Sequence, residues 1–200
     1  MTSKNDKKSA DRLPPGQRPI DRLLRWGIDH PGIAPSNPKI DLKTYTLEIG
    51  GEVEKPAKLT WEQVLNFPKT TSVSDFHCVE GWSVLNCKWE GIQFKQIIEL
   101  AKPKPEAKFV TFHCADGYTT SLALDELSGD DVLLACGLNG QPLEEGTGFP
   151  LRLVVPEKYG YKSALWVVKI RFTVQKELGF WEKRGYSDTA DVRKDDRHSK

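Results

Sequence analysis

Asp75-Phe76-His77-Cys78-Val79-Glu80-Gly81-Trp82-Ser83 is the stretch on which the reading of this chain turns. It follows a β-prone run, Thr71–Ser74, and contains a glycine that permits a turn. Cys78 therefore falls in a loop at a strand end, a place from which a thiolate binds a soft metal or acts as a nucleophile. The residues alone leave other readings open. A free cysteine is also a small, commonly buried core residue. A Cys–His hydrolase needs a base beside the thiol. His77 is adjacent on a strand and points to the opposite face, so His30 or His113 would have to reach in from elsewhere. By the same alternation the doublets His77-Cys78 and His113-Cys114 each offer a single ligand to a common zinc, and no C-x-x-C spacing occurs.

Outward from this stretch, the pattern is one of short strands and few helices. Thr44–Glu48 alternates and then meets Gly50-Gly51, which predicts a strand ending in a turn. Thr60 and Gln63 have the form of a capping box, so a short helix should run from Thr60 through Asn66 and end at Pro68. Phe94, Ile97, Ile98 and Ala101 share one helical face, and Lys102-Pro103-Lys104-Pro105 stops that helix. Lys108–His113, Tyr118–Ala123 and Val132–Leu138 read as strands, and Asn139-Gly140 is a strong hairpin signal. Leu151–Val155 and Val167–Val174 are apolar, β-branched runs of the kind found in buried strands. The predicted class is α+β, mostly β in mixed sheets with a few helices; strand order is not legible.

The chain has 200 residues, enough for one domain with tails. A net charge of +1 gives no reason to expect nucleic acid as a partner. No apolar run is long enough to predict a membrane span. The first residues lack the apolar stretch of a secretory signal and a twin-arginine pair, so a cytoplasmic location is expected. Composition divides the chain into a flexible arm at 1–19, a domain at 20–186 and a polar tail at 187–200. Cys78, Cys87, Cys114 and Cys136 are expected to be free thiols or metal ligands, not disulfides.

His77–Ser83, followed by Trp89-Glu90-Gly91, resembles the cofactor-cysteine segment of the oxidoreductase molybdopterin-binding family. That family includes sulfite oxidases, plant-type nitrate reductases and the catalytic subunit of periplasmic methionine sulfoxide reductases. The resemblance continues in order through LPPGQRP (13–19), LTWEQ (59–63), GYTT (117–120), DDVLLA (130–135), PLRLVVPEKYGYKSALWV (150–167) and GFWEKRGY (179–186). It is strongest toward the small, stand-alone sulfite oxidase-like branch.

The resemblance implies a sulfite oxidase-type fold holding a molybdenum–molybdopterin cofactor, in the pterin form without an appended nucleotide, and no haem. By position Cys78 matches the molybdenum ligand; Cys87, Cys114 and Cys136 do not. A soft thiolate suits a metal that cycles between high oxidation states, and a metal-bound thiol needs no general base. Arg152 matches the family's cofactor-binding arginine, and a guanidinium suits an anionic group. Tyr161, Lys162, Ser163 and Ala164 match a pterin-binding turn, with Lys162 at the phosphate end; Leu165 stands where relatives often carry lysine. His30 matches an N-terminal pterin contact, Cys114 lies near a position that contacts cofactor from the next strand, and Tyr118 is placed as a catalytic donor on the substrate side.

The activity implied is two-electron oxygen-atom transfer on a small-molecule substrate, with electrons exchanged through a separate partner. Sulfite oxidation calls for a cluster of anion-binding arginines. Beyond Arg152 none is evident, so reduction of an S- or N-oxide is the competing direction. The remaining alternatives are a non-catalytic molybdopterin-binding module, and a thiol or zinc protein that keeps the fold without the cofactor.

Overall fold

The computed structural model describes residues 13–199. Eleven strands in two sheets carry most of the regular structure among them, as the α+β, mostly β expectation has it. The first sheet contains β1 (Arg18–Pro19), β4 (Thr70–Cys78), β5 (Trp82–Gln93), β8 (Leu133–Leu138), β9 (Gln141–Pro142) and β10 (Arg152–Val154). Its path runs β1-β5-β8-β10, with β4 alongside β5 and β9 alongside β8. The second contains β2 (Thr46–Gly51), β3 (Ala57–Thr60), β6 (Phe109–Cys114), β7 (Thr119–Ala123) and β11 (Val167–Thr173), in the order β3-β2-β11-β6-β7. It is mixed: β11 runs parallel to β2 and antiparallel to β6.

Both faces of the first sheet are covered, and this decides where its side chains go. Along β8, Leu134 faces the large core shared with the second sheet, while Leu133 and Ala135 face a smaller core around Phe76, Cys78 and Trp89. The β10 segment alternates in the same way. Leu151, Leu153 and Val155 enter the large core, and Val154 enters the small one. A strand buried on both faces reads as a continuous apolar run, as 151–155 does apart from Arg152. Arg152 lies on the small-core side, its guanidinium 5.2 Å from the Phe76 ring centre and 5.1 Å from that of Trp89.

Helix α1 (Trp61–Leu65) starts at Thr60 with both bonds of the capping box in place. Helix α2 (Phe94–Ala101) buries Phe94, Ile97 and Ala101, and Lys102 ends it in the left-handed conformation. The β8–β9 hairpin turns on Asn139 (φ 53°) and Gly140 (φ 79°), the two positive φ values that an Asn-Gly turn accommodates.

Three expectations are corrected. Gly50-Gly51 is not a turn after the strand; both residues belong to β2 and lie beside Arg171 and Phe172. A Cβ at Gly51 would overlap the Phe172 carbonyl oxygen, so the glycine serves close strand approach. Of the arm at 1–19, residues 1–12 lie outside the described residues, but Arg18–Pro19 pairs in parallel with Trp82–Ser83. The segment read as a polar tail is packed through residue 199. Ala190 and Val192 are fully buried beside Tyr159, and Asp191 bridges to Lys158. Its few apolar residues all point inward, and its charges pair with neighbours, which average composition does not reveal. No helix among the described residues is long and apolar enough to cross a membrane.

Gly91 stands opposite a bulge at which β8 carries one extra residue, Cys136. A Cβ there would overlap the Leu134 carbonyl and sit 2.6 Å from the Ala135 Cα. Gly91→Ala is expected to cost about 1–3 kcal/mol by overpacking. That lowers Tm by roughly 5 °C, checked by thermal denaturation; an unchanged Tm refutes the close-approach account.

Candidate functional site

Cys78 is the last residue of β4, and a three-residue turn, Val79-Glu80-Gly81, returns the chain to Trp82. The Gly81 N–H donates to the Cys78 carbonyl at 3.0 Å, and Gly81 takes φ +91°. A left-handed glycine at the third position is how such a hairpin closes without strain. The turn presents Cys78 to a cavity with an empty volume of about 630 Å³ that is also lined by His30, Glu80, Trp82, Arg152 and Tyr161. A second cavity, about 420 Å³, shares the walls Trp26, Gly160, Tyr161 and Trp181 and continues past Tyr118, Ser163, Ala164 and Leu165. Gly160 is forced by packing, since a Cβ there would overlap the Phe76 ring.

Cys78 is 6% exposed, and burial pushes its thiol up to about 12. It donates to Glu80 Oε2 at 3.9 Å. The indole N–H of Trp82 donates to the same oxygen at 3.4 Å, and His30 Nε2 lies 2.7 Å from Glu80 Oε1. His30 is oriented by its other nitrogen, 2.9 Å from the Pro31 carbonyl, and by an edge contact with Trp26. A thiol held protonated this firmly is a poor nucleophile at neutral pH. His77, its sequence neighbour, is bonded to Ser83 Oγ at 2.7 Å and lines neither cavity, so no Cys–His pair forms there. Among the described residues no three His, Cys, Asp or Glu side chains gather as a metal-ligand set. A metal at Cys78 would therefore draw its other ligands from a cofactor.

Arg152 is 2% exposed. Its Nη1 donates to the Thr147 carbonyl at 3.0 Å and its Nη2 to the Ser163 carbonyl at 3.2 Å. Burial pulls it down to about 10, which leaves it charged at neutral pH. Its hydrogen-bond partners are all carbonyls, with no carboxylate among them. A buried cation without a counter-charge is costly, and an anionic ligand in the cavity it lines would compensate it. A thiol that would ionise only on binding a metal and a guanidinium without a counter-charge thus line one cavity, and both fit a metal–pterin group bearing a phosphate.

The remaining sequence candidates divide. His30 and Tyr161 line the first cavity, and Tyr118, Ser163 and Ala164 the second, with Tyr161 common to both. Tyr118 does not share the cavity of Cys78. It is buried, and its hydroxyl donates to the Tyr161 carbonyl at 2.5 Å, so the expected donor over the metal is instead a brace for the turn. Lys162 is fully buried and points inward, paired with Glu182 and 3.3 Å from Asp188, with its ammonium also donating to the Ser121 carbonyl. Its expected contact with phosphate is corrected on that ground. With Leu165 apolar, the second cavity has no Lys or Arg on its wall. Cys114 packs in the large core and lines neither cavity. Glu80, Trp26, Trp181 and Tyr186 were not singled out from sequence, although Trp181 and Tyr186 belong to the GFWEKRGY block.

Comparison with known proteins gives first the class, an oxidoreductase that binds molybdopterin. The family model of the oxidoreductase molybdopterin binding domain matches residues 34–181, and the chain belongs to that family. It is 40% identical over 177 residues to the uncharacterized oxidoreductase YuiH of Bacillus subtilis, covering 88% of this chain and 87% of that protein. It is 38% identical over 157 residues to the protein-methionine-sulfoxide reductase catalytic subunit MsrP of Campylobacter jejuni, 70% of this chain and 52% of that one. The fold matches the sulfane dehydrogenase SoxCD of Paracoccus pantotrophus with a TM-score of 0.66 and 27% identity, over 70% of this chain and 41% of that chain. The chain thus spans most of YuiH but only about half of MsrP.

The buried thiols set a pH dependence. Cys78 and Cys87 are held by burial near 12 and 11, above the ordinary 9.0. A group raised on folding stabilises the protein fully below its unfolded value and ceases to do so as pH climbs through the folded one. The urea midpoint of reduced, cofactor-free protein is expected to fall between pH 9 and pH 11, and to fall less in Cys78→Ala. Equal losses in the two proteins would remove Cys78 from the effect.

Proposed function

We propose that this protein is a molybdenum-cofactor enzyme that reduces S-oxides by two-electron oxygen-atom transfer, with Cys78 as the protein ligand to the metal. The observation that carries this reading is the shared cavity of Cys78 and the uncompensated Arg152. When bound, the molybdenum–pterin group supplies the two-electron redox centre and the site that accepts oxygen. Everything else falls to the chain. Cys78, at the end of the turn, would hold the metal as a thiolate, giving its proton up to solvent. Arg152 would hold the anionic part of the cofactor, and Tyr161, Ser163 and Ala164 line the adjoining cavity. Trp26, Trp82, Trp181 and Tyr186 wall the cavity and exclude water.

The reduction consumes two electrons and two protons and releases a thioether and water. The electrons come from a separate protein or small-molecule partner. Glu80, 3.9 Å from the cysteine sulfur, argues for the direction. Its carboxylate repels an oxyanion such as sulfite but not a neutral sulfoxide, and the aromatic walls suit an apolar thioether substituent. Kinship to a methionine-sulfoxide reductase supports the same direction. The four free thiols fit a reducing compartment, so we place the enzyme in the cytoplasm.

Metal analysis and pterin fluorescence after acid oxidation test the core of the reading on wild type and Cys78→Ser. Wild type is expected to hold both groups and to reduce methionine sulfoxide with a reduced dye. Loss of a direct ligand should exceed the roughly 10–100-fold cost of outer-shell changes, with the fold intact by circular dichroism. Stoichiometric cofactor without turnover on sulfoxides, N-oxides or sulfite would identify a binding module. Zinc in place of molybdenum would overturn the reading.

A further inference from the structure

Both ends of the described chain converge on the turn that carries Cys78. Gln17 Nε2 donates to the Cys78 carbonyl at 3.1 Å, and the Arg18 N–H donates to the Gly81 carbonyl at 3.0 Å. From the other end, Arg197 Nη1 donates to the Val79 carbonyl at 2.6 Å. Three carbonyls of the turn, those of Cys78, Val79 and Gly81, are therefore held by residues far away in sequence.

Each holder is itself fixed. The Gln17 amide oxygen accepts from Ser83 Oγ at 2.9 Å, and Ser83 is bonded in turn to His77. The second Arg197 nitrogen, Nη2, reaches the Pro15 and Gly16 carbonyls at 3.4 and 3.3 Å. Its Nε donates to Asp195 at 2.7 Å, and its plane lies 5.5 Å from the Tyr159 ring. Gly16 leaves room for it, since a Cβ there would come within 2.6 Å of Nη2. The same C-terminal segment supports the cavity wall. Tyr186 bridges to His198, and Tyr161 Oη donates to the Ser187 carbonyl.

We infer that Arg197 and Gln17 are positioning residues, which fix the Cys78–Gly81 turn so that the sulfur is presented to the cavity in one orientation. This rests on the proposed role of Cys78. A three-residue turn has few bonds of its own. The direction of the sulfur follows the backbone angles at Cys78 and Val79, and hydrogen bonds to their carbonyls, a neutral one from Gln17 and a charge-assisted one from Arg197, hold those angles. Neither residue touches the cavity; each acts through the turn.

The test is alkylation of Cys78 in full-length protein produced without cofactor, followed by peptide mass spectrometry that resolves it from the other three cysteines. Labelling of a buried thiol requires local opening. Arg197→Ala is expected to speed labelling of Cys78 by about tenfold, the scale of one lost charge-assisted hydrogen bond, and to leave Cys87, Cys114 and Cys136 unchanged. Arg197→Lys keeps the charge on a single donor nitrogen and should fall between. Gln17→Ala should act in the same direction more weakly. Lys194→Ala, on the same segment but exposed and paired with Asp191, should label like wild type.

In cofactor-loaded Arg197→Lys, the metal's electron paramagnetic resonance signal should broaden, with metal content retained. An unchanged Cys78 rate in Arg197→Ala, or an equal rise at all four cysteines, overturns the inference. If Arg197→Ala fails to fold, Arg197→Lys and Gln17→Ala decide by the same criterion. Absence of molybdenum from wild type would sink the proposed function and leave the labelling result standing, so the two failures are distinguishable.

Discussion

A guanidinium buried among carbonyl oxygens and ring faces, with no carboxylate to answer it, is the constraint around which this fold is arranged. Arg152 is held there because β10 sits in a sheet covered on both sides, so every second side chain of the strand must enter the small core. One of those positions is a cation. Its polar hydrogens are partly met by the Thr147 and Ser163 carbonyls, which ties together the turn before β10 and the turn after it. Phe76 and Trp89 stack near it from the β4–β5 hairpin. The hairpin that carries Cys78 is thereby packed against the strand that carries Arg152, and the cavity lies between them. Removing the cation would relieve the charge but loosen all of these elements at once.

The complementary group is Cys78. Burial holds its proton and makes the free thiol chemically quiet. Only a strong Lewis acid at the sulfur reverses that preference. Loading such a site and rigidifying the hairpin are then coupled, because the ligand exists as a thiolate only when the metal is present. The reactivity that would define a cysteine hydrolase is suppressed by the same burial that suits a soft-metal ligand.

Much of this was legible in the sequence where the cause is local. The Thr60–Gln63 box, the Asn139-Gly140 turn, the α2 face and the apolar run around Arg152 each follow from neighbouring residues alone. An arginine inside such a run is itself a signal, since no surface strand needs that pattern. What was not legible depends on partners distant in the chain. Lys162 looked available until Glu182 and Asp188 were brought beside it. Tyr118 looked like a donor until its hydroxyl met the Tyr161 carbonyl. The segment at 187–199 looked like a tail because two apolar residues do not register in a charged stretch, yet Ala190 and Val192 cover Tyr159. Strand β5, the longest among the described residues, was missed although Cys87-Lys88-Trp89-Glu90 alternates cleanly.

The aromatic walls have an optical consequence. Of the six tryptophans, Trp26, Trp82, Trp166 and Trp181 line the two cavities. The intrinsic emission of these four residues therefore originates at the edge of the site. A heterocycle absorbing in the near ultraviolet and seated there would drain that emission by energy transfer, and its departure would restore it. The protein carries its own gauge of occupancy, readable in a cuvette without label or substrate.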